Sequence, residues 1–196
     1  HGEDSLKAAH AYLRKGDVLE RKGKRDLALV FYKKGVASLG GRDVREMGAE
    51  AGDMMNGMGI CLKNVGETER ALRCYEQALV IRRQDLGPRH PKVSDTLHNM
   101  GNLLEVMGEL GRAASCYEEA LEIRRELYGG EHAKVGATLA NLSIVLAKRG
   151  NLDRALKCSE EALAIRKRAL GDEHPQVGQT LSNLAFALDC MGDKER

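Results

Sequence analysis

Residues 97–125 read LHNMGNLLEVMGELGRAASCYEEALEIRR. Leu97, Met100, Leu104 and Met107 recur at i, i+3, i+7 and i+10, which is one face of a helix. Gly108 closes that helix, as glycine commonly does just past a helix end. A second stripe follows in Leu110, Ala113, Tyr117, Ala120, Leu121 and Arg124. Glu109 near its start and Arg124-Arg125 near its end match the helix dipole, and Gly129-Gly130 stops it. A turn as short as Met107-Gly108-Glu109 makes the two helices antiparallel. Gly101, Ala113 and Ala120 let them approach closely, and Tyr117 fills the gap they leave. Neither helix can bury its face alone, so a neighbouring pair must cover it.

Outward from this segment the chain copies itself. Gly66, Gly108, Gly150 and Gly192 stand 42 residues apart, and so do Ala71, Ala113 and Ala155. Tyr75, Tyr117 and Ser159 share one position, and Ala78, Ala120 and Ala162 another. An earlier copy, offset by 43 residues, begins at Gly23 with Ala28 and Tyr32. A period of this length marks a stack of supersecondary units. The fold class expected is an all-α, right-handed superhelical solenoid of antiparallel helix pairs. Helices are predicted over 4–22, 24–39, 48–65, 67–85, 92–107, 109–127, 134–149, 151–169 and 176–191. They form one array over 1–196, with repeats at 4–40, 48–86, 91–128 and 133–170 and a lone first helix at 175–192. An array that stops after a first helix reads as a fragment or a divergent terminus.

Charge and cysteine usage narrow the function classes. Thirty-one Lys and Arg against 29 Asp and Glu leave a net charge of +2 in 196 residues. Such balance argues against a nucleic-acid binder that relies on bulk positive charge. No apolar run approaches the ~20 residues of a membrane span, so no membrane is expected as partner. Cys74, Cys116 and Cys158 are one structural position copied three times. Packed helices put equivalent atoms about 10 Å apart, too far for a disulfide. The plain reading is buried thiols in a reducing cytoplasm. No CxxC pair suggests zinc, and no cofactor or metal is expected.

The helix-pair pattern resembles the tetratricopeptide repeat, whose signature runs bulky residue, two positions, Leu-Gly, two positions, Tyr, then Ala-x3-aromatic. The second copy has Met55, Met58-Gly59 and Leu62, then Ala71 and Tyr75. The third has Leu97, Met100-Gly101 and Leu104, then Ala113 and Tyr117. The fourth departs at both small and aromatic positions, with Ser143 and Ser159, and the first puts Lys15 where an apolar residue belongs. The lone last helix keeps Leu181, Leu184 and Leu188. Against a common repeat of 34 residues, 42 adds about two helical turns. The linkers carry Leu86-Gly87-x2-His90-Pro91, Tyr128-Gly129-x2-His132 and Leu170-Gly171-x2-His174-Pro175. Ala-Leu-x-Ile-Arg precedes each, and Thr-Leu-x-Asn-Leu follows at Thr138 and Thr180, with a near-copy at Thr96. This combination resembles the kinesin light chain type of repeat over roughly residues 50–192.

The resemblance implies that first helices line a concave groove. Asn99, Asn141 and Asn183 occupy equivalent places on them. Asparagine is a poor helix former, so three copies need a reason. An amide can grip a peptide backbone without reading its sequence, or it can bond a neighbouring helix and hold the stack. Asp95, His98, Asn102 and Glu105 form a polar strip beside Asn99, and Asn56, Ile60, Lys63 and Asn64 are its equivalents one repeat earlier. Candidate groove residues are therefore Asn99, Asn141, Asn183, His98, Asn102, Lys63, Asn56 and Asp95. Ala140, Ser143, Ile144 and Ala147 make the next stretch small or apolar. His90, His132 and His174 read as structural, bonding helix termini, with Pro91 and Pro175 pre-setting the first turn. Arg82-Arg83, Arg124-Arg125 and Arg166-Lys167-Arg168 read as dipole complements and solvated charge. The alternative is that some face the groove and favour acidic ligands.

No catalytic constellation stands out. The expected function is a protein–protein interaction scaffold that binds a partner segment, acidic in one reading, in the manner of a kinesin light chain cargo adaptor. The alternative is a structural or self-associating segment of a larger ciliary, cytoskeletal or receptor protein, associating through the apolar strip of the last helix.

Overall fold

The computed structural model describes residues 2–38, 40 and 48–192, with the backbone alone at residues 2–4 and 6. Among the described residues there are nine helices and no strand. They are α1 (Gly2–Arg21), α2 (Arg25–Ser38), α3 (Gly48–Asn64), α4 (Thr68–Leu86), α5 (Pro91–Val106), α6 (Leu110–Tyr128), α7 (Ala133–Lys148), α8 (Leu152–Leu170) and α9 (Pro175–Gly192). Each end lies within two residues of its sequence expectation. Gly192, expected as a stop, is still helical. Residue 39 and Asp193 lie outside the described residues.

Every odd helix is a repeat's first helix and every even helix its second. The turns between them explain why. Gly66 and Gly108 have φ of 84° and 78°, which an L side chain tolerates poorly. The next amide donates back over the turn, Glu67 N to Leu62 O at 3.0 Å and Glu109 N to Leu104 O at 2.9 Å. This closes the helix as a Schellman motif. The same Glu then accepts the first bond of the following helix, from Ala71 N and Ala113 N respectively. One glycine thus ends a helix and starts its antiparallel mate.

The chain divides into two compact units, residues 1–103 and 104–196, with the boundary inside α5. In the first, α1 packs on α2 and α3, α2 on α3, and α3 on α4. In the second, α6 packs on α7, α7 on α8 and α9, and α8 on α9. First helices therefore touch successive first helices, α1 to α3 and α7 to α9.

The core of each unit is built from the copied positions. Ala28, Ala71, Ala113 and Ala155 are fully buried, as are Ala78, Ala120 and Ala162. Tyr32, Tyr75 and Tyr117 fill the space that the alanines open. A methyl added to Gly59 would stand 2.6 Å from the Tyr75 ring, so the glycine is what admits the tyrosine. Burial pushes the phenols of Tyr32, Tyr75 and Tyr117 well above their ordinary range. In the fourth copy Ser143 and Ser159 stand at the glycine and tyrosine positions, both buried. Lys15, out of pattern in the first copy, is exposed with its ammonium 4.5 Å from the Phe31 ring centroid. The five cysteines are free thiols. Cys61, Cys74 and Cys116 are buried, and burial raises the Cys61 thiol to about 11.

Candidate functional site

All eight candidate groove residues sit on first helices and all are half-buried. In the first unit α3 carries Asn56 and Lys63, and α5 carries Asp95, His98, Asn99 and Asn102. The structure joins two of them: Asn99 Nδ2 donates to Asn56 Oδ1 at 3.5 Å. In the second unit Asn183 on α9 donates to the Ala140 carbonyl on α7 at 3.2 Å. Asn141 on α7 bonds the Tyr117 hydroxyl. Asn99 and Asn183 both reach 43 residues back, to the preceding first helix. Glu105, in the polar strip, pairs with Lys148 at 2.7 Å.

The linker histidines cap helices. Nδ1 of His90, His132 and His174 accepts from the backbone N–H of Lys92, Lys134 and Gln176, at 3.2, 3.1 and 3.2 Å. Each is thus an N-cap that satisfies one orphan donor of the next first helix. Pro91 and Pro175 follow at the first helical position, where the missing N–H costs nothing.

The arginines correct the sequence reading. Arg83, Arg125, Lys167 and Arg168 are exposed, as solvated charge should be. Arg82, Arg124 and Arg166 are not: their exposures are 5, 4 and 7 %. Each Nη1 donates twice into the first two turns of the next helix. Arg82 reaches Lys92 O at 2.9 Å and Thr96 Oγ1. Arg124 reaches Lys134 O at 3.3 Å and Thr138 Oγ1 at 2.6 Å. Arg166 reaches Gln176 O at 2.9 Å and Thr180 Oγ1 at 2.6 Å. Each threonine hydroxyl donates to the same carbonyl, closing a triangle. The guanidinium is a clasp between consecutive repeats, and dipole complementarity is secondary. The signal was available: Arg82, Arg124 and Arg166 each precede a threonine by 14 residues.

A tetratricopeptide-repeat family model matches residues 50–126, 93–167 and 137–196, and a second tetratricopeptide-repeat model matches residues 9–38. The chain belongs to the tetratricopeptide repeat family. No curated protein matches it. Among solved structures it is similar to BtubC (BKLC) from P. vanneervenii, at 22% identity and a TM-score of 0.77, over 97% of this chain and 83% of that one. It is also similar to a putative kinesin light chain of Podosopora anserina with nearly identical TPR-like repeats. A point-substituted form of that protein gives 19% identity and a TM-score of 0.78, over 100% of this chain and 91% of the other. A further structure of it gives 19% and 0.75, over 95% and 88%. The repeats are thus tetratricopeptide repeats in an all-α solenoid fold.

Tetratricopeptide repeats generally mediate protein–protein interaction. Among the described residues no group of His, Cys, Asp and Glu is placed to hold a metal ion. No described helix is long and apolar enough to cross a membrane. The expected apolar strip of α9 is open: Leu181 and Leu188 are 46 and 52 % exposed, and Leu184 is half-buried.

Proposed function

We propose that the chain is an interaction scaffold, one array over residues 1–196, whose first helices bind an extended segment of a partner protein without catalysing a reaction. The supporting observation is the spare capacity of the asparagines. The Asn99–Asn56 bond of 3.5 Å is at the long limit for such contacts. It uses one donor and one acceptor and leaves Asn99 Oδ1 and Asn56 Nδ2 for a ligand backbone. Asn183 spends one amide hydrogen on Ala140 and stays half-exposed. Asn141 joins them in holding the ligand backbone, and His98, Asn102 and Lys63 set side-chain preference, with Asp95 beside them. The finer reading is a cytoplasmic cargo adaptor like a kinesin light chain, taking acidic segments. Five free thiols suit a reducing compartment, and Lys63 suits an acidic partner.

The test separates binding from stability. A peptide array finds a bound segment, and its affinity is measured for Asn99→Ala combined with Asn141→Ala. The expected loss is at least tenfold, about 1.4 kcal/mol, with little change in Tm. Early unfolding of the double variant would make the asparagines stack-holding residues. A stable variant that binds as before would sink the groove assignment.

A second reading rests on α9. Leu181, Leu184 and Leu188 form an apolar strip that suits self-association. Sedimentation at rising concentration decides it, with Leu181→Glu and Leu188→Glu expected to abolish any dimer.

A further inference from the structure

The three clasps differ in one position. At the first, Arg82 Nη2 donates to Asp53 Oδ1 at 2.7 Å, and Lys92 Nζ holds Asp53 Oδ2 at 2.7 Å. Asp53, Asp95, Ala137 and Gln179 are successive copies of that position on the first helices. The acid that belongs to Arg166 by this register is therefore Ala137. Lys92 has likewise become Gln176.

Arg166 keeps the rest of the clasp. Its Nη1 makes the same two bonds, to the Gln176 carbonyl and Thr180 Oγ1. Those bonds fix the guanidinium plane as they fix that of Arg82. By the register of the repeats, position 137 is to Arg166 what Asp53 is to the Nη2 of Arg82, and Ala137 is half-buried. Among the described residues no carboxylate bonds Arg166, which is what sets it apart from Arg82; its Nε is buried without a hydrogen-bond partner, as are those of Arg82 and Arg124. Burial lowers its pKa from the ordinary value, and no nearby acid opposes that shift. An arginine nonetheless stays charged. A buried cation that has lost its own counter-ion is costly, and a carboxylate that supplied two donors' worth of acceptor would be strongly held.

We infer that the notch over Ala137, backed by the Arg166 guanidinium, is a carboxylate-binding subsite that takes an acidic group of the partner segment. As a peptide subsite it rests on the proposed scaffold function. Asp53 shows the size and placement of the acceptor: its side chain is 25 % exposed, so the position is reached from solvent while its oxygen touches the buried guanidinium. Gln176, whose carbonyl the Arg166 guanidinium holds, is exposed and uncharged where the first junction has Lys92. The acidic group is either an Asp or Glu side chain or a free C-terminus, since both offer the same two oxygens.

The site is tested on the whole chain by NMR of the arginine Nε–Hε resonances, with acetate titrated against chloride at constant ionic strength. Acetate should shift Arg166 saturably while Arg82 stays still. Ala137→Asp should abolish the response, because the installed side chain fills the notch. No acetate-specific shift at Arg166, or an undiminished one in Ala137→Asp, overturns the subsite. Peptides then separate the sources: an amidated segment with one internal Asp or Glu, and a segment whose only acid is its free C-terminus. The segment using the notch should lose affinity about tenfold in Ala137→Asp. Loss of peptide binding in Asn99→Ala with Asn141→Ala, alongside an intact acetate response, keeps the two ideas apart. If no segment binds while acetate still shifts Arg166, the carboxylate site stands and the peptide reading alone falls.

Discussion

Two junctions use the same clasp with different electrostatics. Between α4 and α5, Arg82 is buried beneath Asp53, which is shared with Lys92, so the guanidinium has an internal counter-ion. Between α8 and α9, Arg166 is just as buried, but Ala137 and Gln176 stand where the acid and the lysine would be. The hydrogen bonds to threonine and carbonyl survive in both. The hydrogen-bonded triangle is therefore the shared device for joining repeats. The carboxylate is a separable addition, present at the first junction and absent from the last. A repeat array can vary its chemistry at one position per copy without altering how copies stack.

The largest expected effect comes from breaking the complete clasp. Arg82→Ala removes the charge, both Nη1 bonds and the Asp53 pair, and leaves Asp53 facing Lys92 alone. Deleting one partner of a buried ion pair costs about 3–5 kcal/mol. Asp53 is a quarter exposed, which places the cost near the lower end, at about 3 kcal/mol. Chemical denaturation reads the total, and amide exchange at Lys92–Thr96 should accelerate first. An unchanged midpoint would show that the clasp holds nothing. Asp53→Ala is the next smaller step, because it turns the first junction into a copy of the last. The threonine and carbonyl bonds remain and the half-exposed Lys92 returns to water, so about 2 kcal/mol is expected, chiefly the cost of leaving the Arg82 Nη2 bond unmade. A loss as large as that of Arg82→Ala would mean that the acid, not the triangle, holds the repeats.

The comparison also shows what a sequence can disclose. The helix pairs were legible because one spacing of small and large residues is copied at 42, and even the ends of α3 to α9 follow from glycines and prolines at fixed offsets. His90, His132 and His174 were legible as structural because they recur at one linker position beside helix starts. Arg82, Arg124 and Arg166 were not. A basic residue in a last helical turn has a sufficient local explanation in the helix dipole, and local patterns do not show that the next helix covers it. The motifs at both ends of the clasp, Ala-Leu-x-Ile-Arg and Thr-Leu, were visible separately. Their union is a tertiary fact. The asparagines were placed correctly on first helices, but Asn183 bonding a backbone carbonyl and Asn99 bonding Asn56 depend on how neighbouring helices meet.

The smallest effect has the opposite sign. Ala137→Asp restores the missing counter-ion and should stabilise the α8–α9 junction. Two terms oppose each other. Aspartate is a poorer helix former than alanine by up to about 0.7 kcal/mol. Against this, position 137 is the fifth residue of α7, near enough to its N-terminus for a negative charge to gain a few tenths of a kcal/mol. A hydrogen bond to a charged partner contributes about 1.5–3 kcal/mol, and partial solvent exposure of this position reduces it. The balance is a gain of about 1 kcal/mol. Its sign can be checked by pH. The new carboxylate would be ionised more readily folded than unfolded, so its contribution is present above about pH 4 and fades as pH falls below the ordinary aspartate range. Denaturation at pH 7 and at pH 3 should therefore show the variant ahead of the parent at the first and level with it, or slightly behind, at the second. A gain that persists at pH 3 would come from packing rather than charge. A loss at pH 7 would mean that Arg166 does not turn its guanidinium toward α7, and the likeness between the two junctions would end at the threonine.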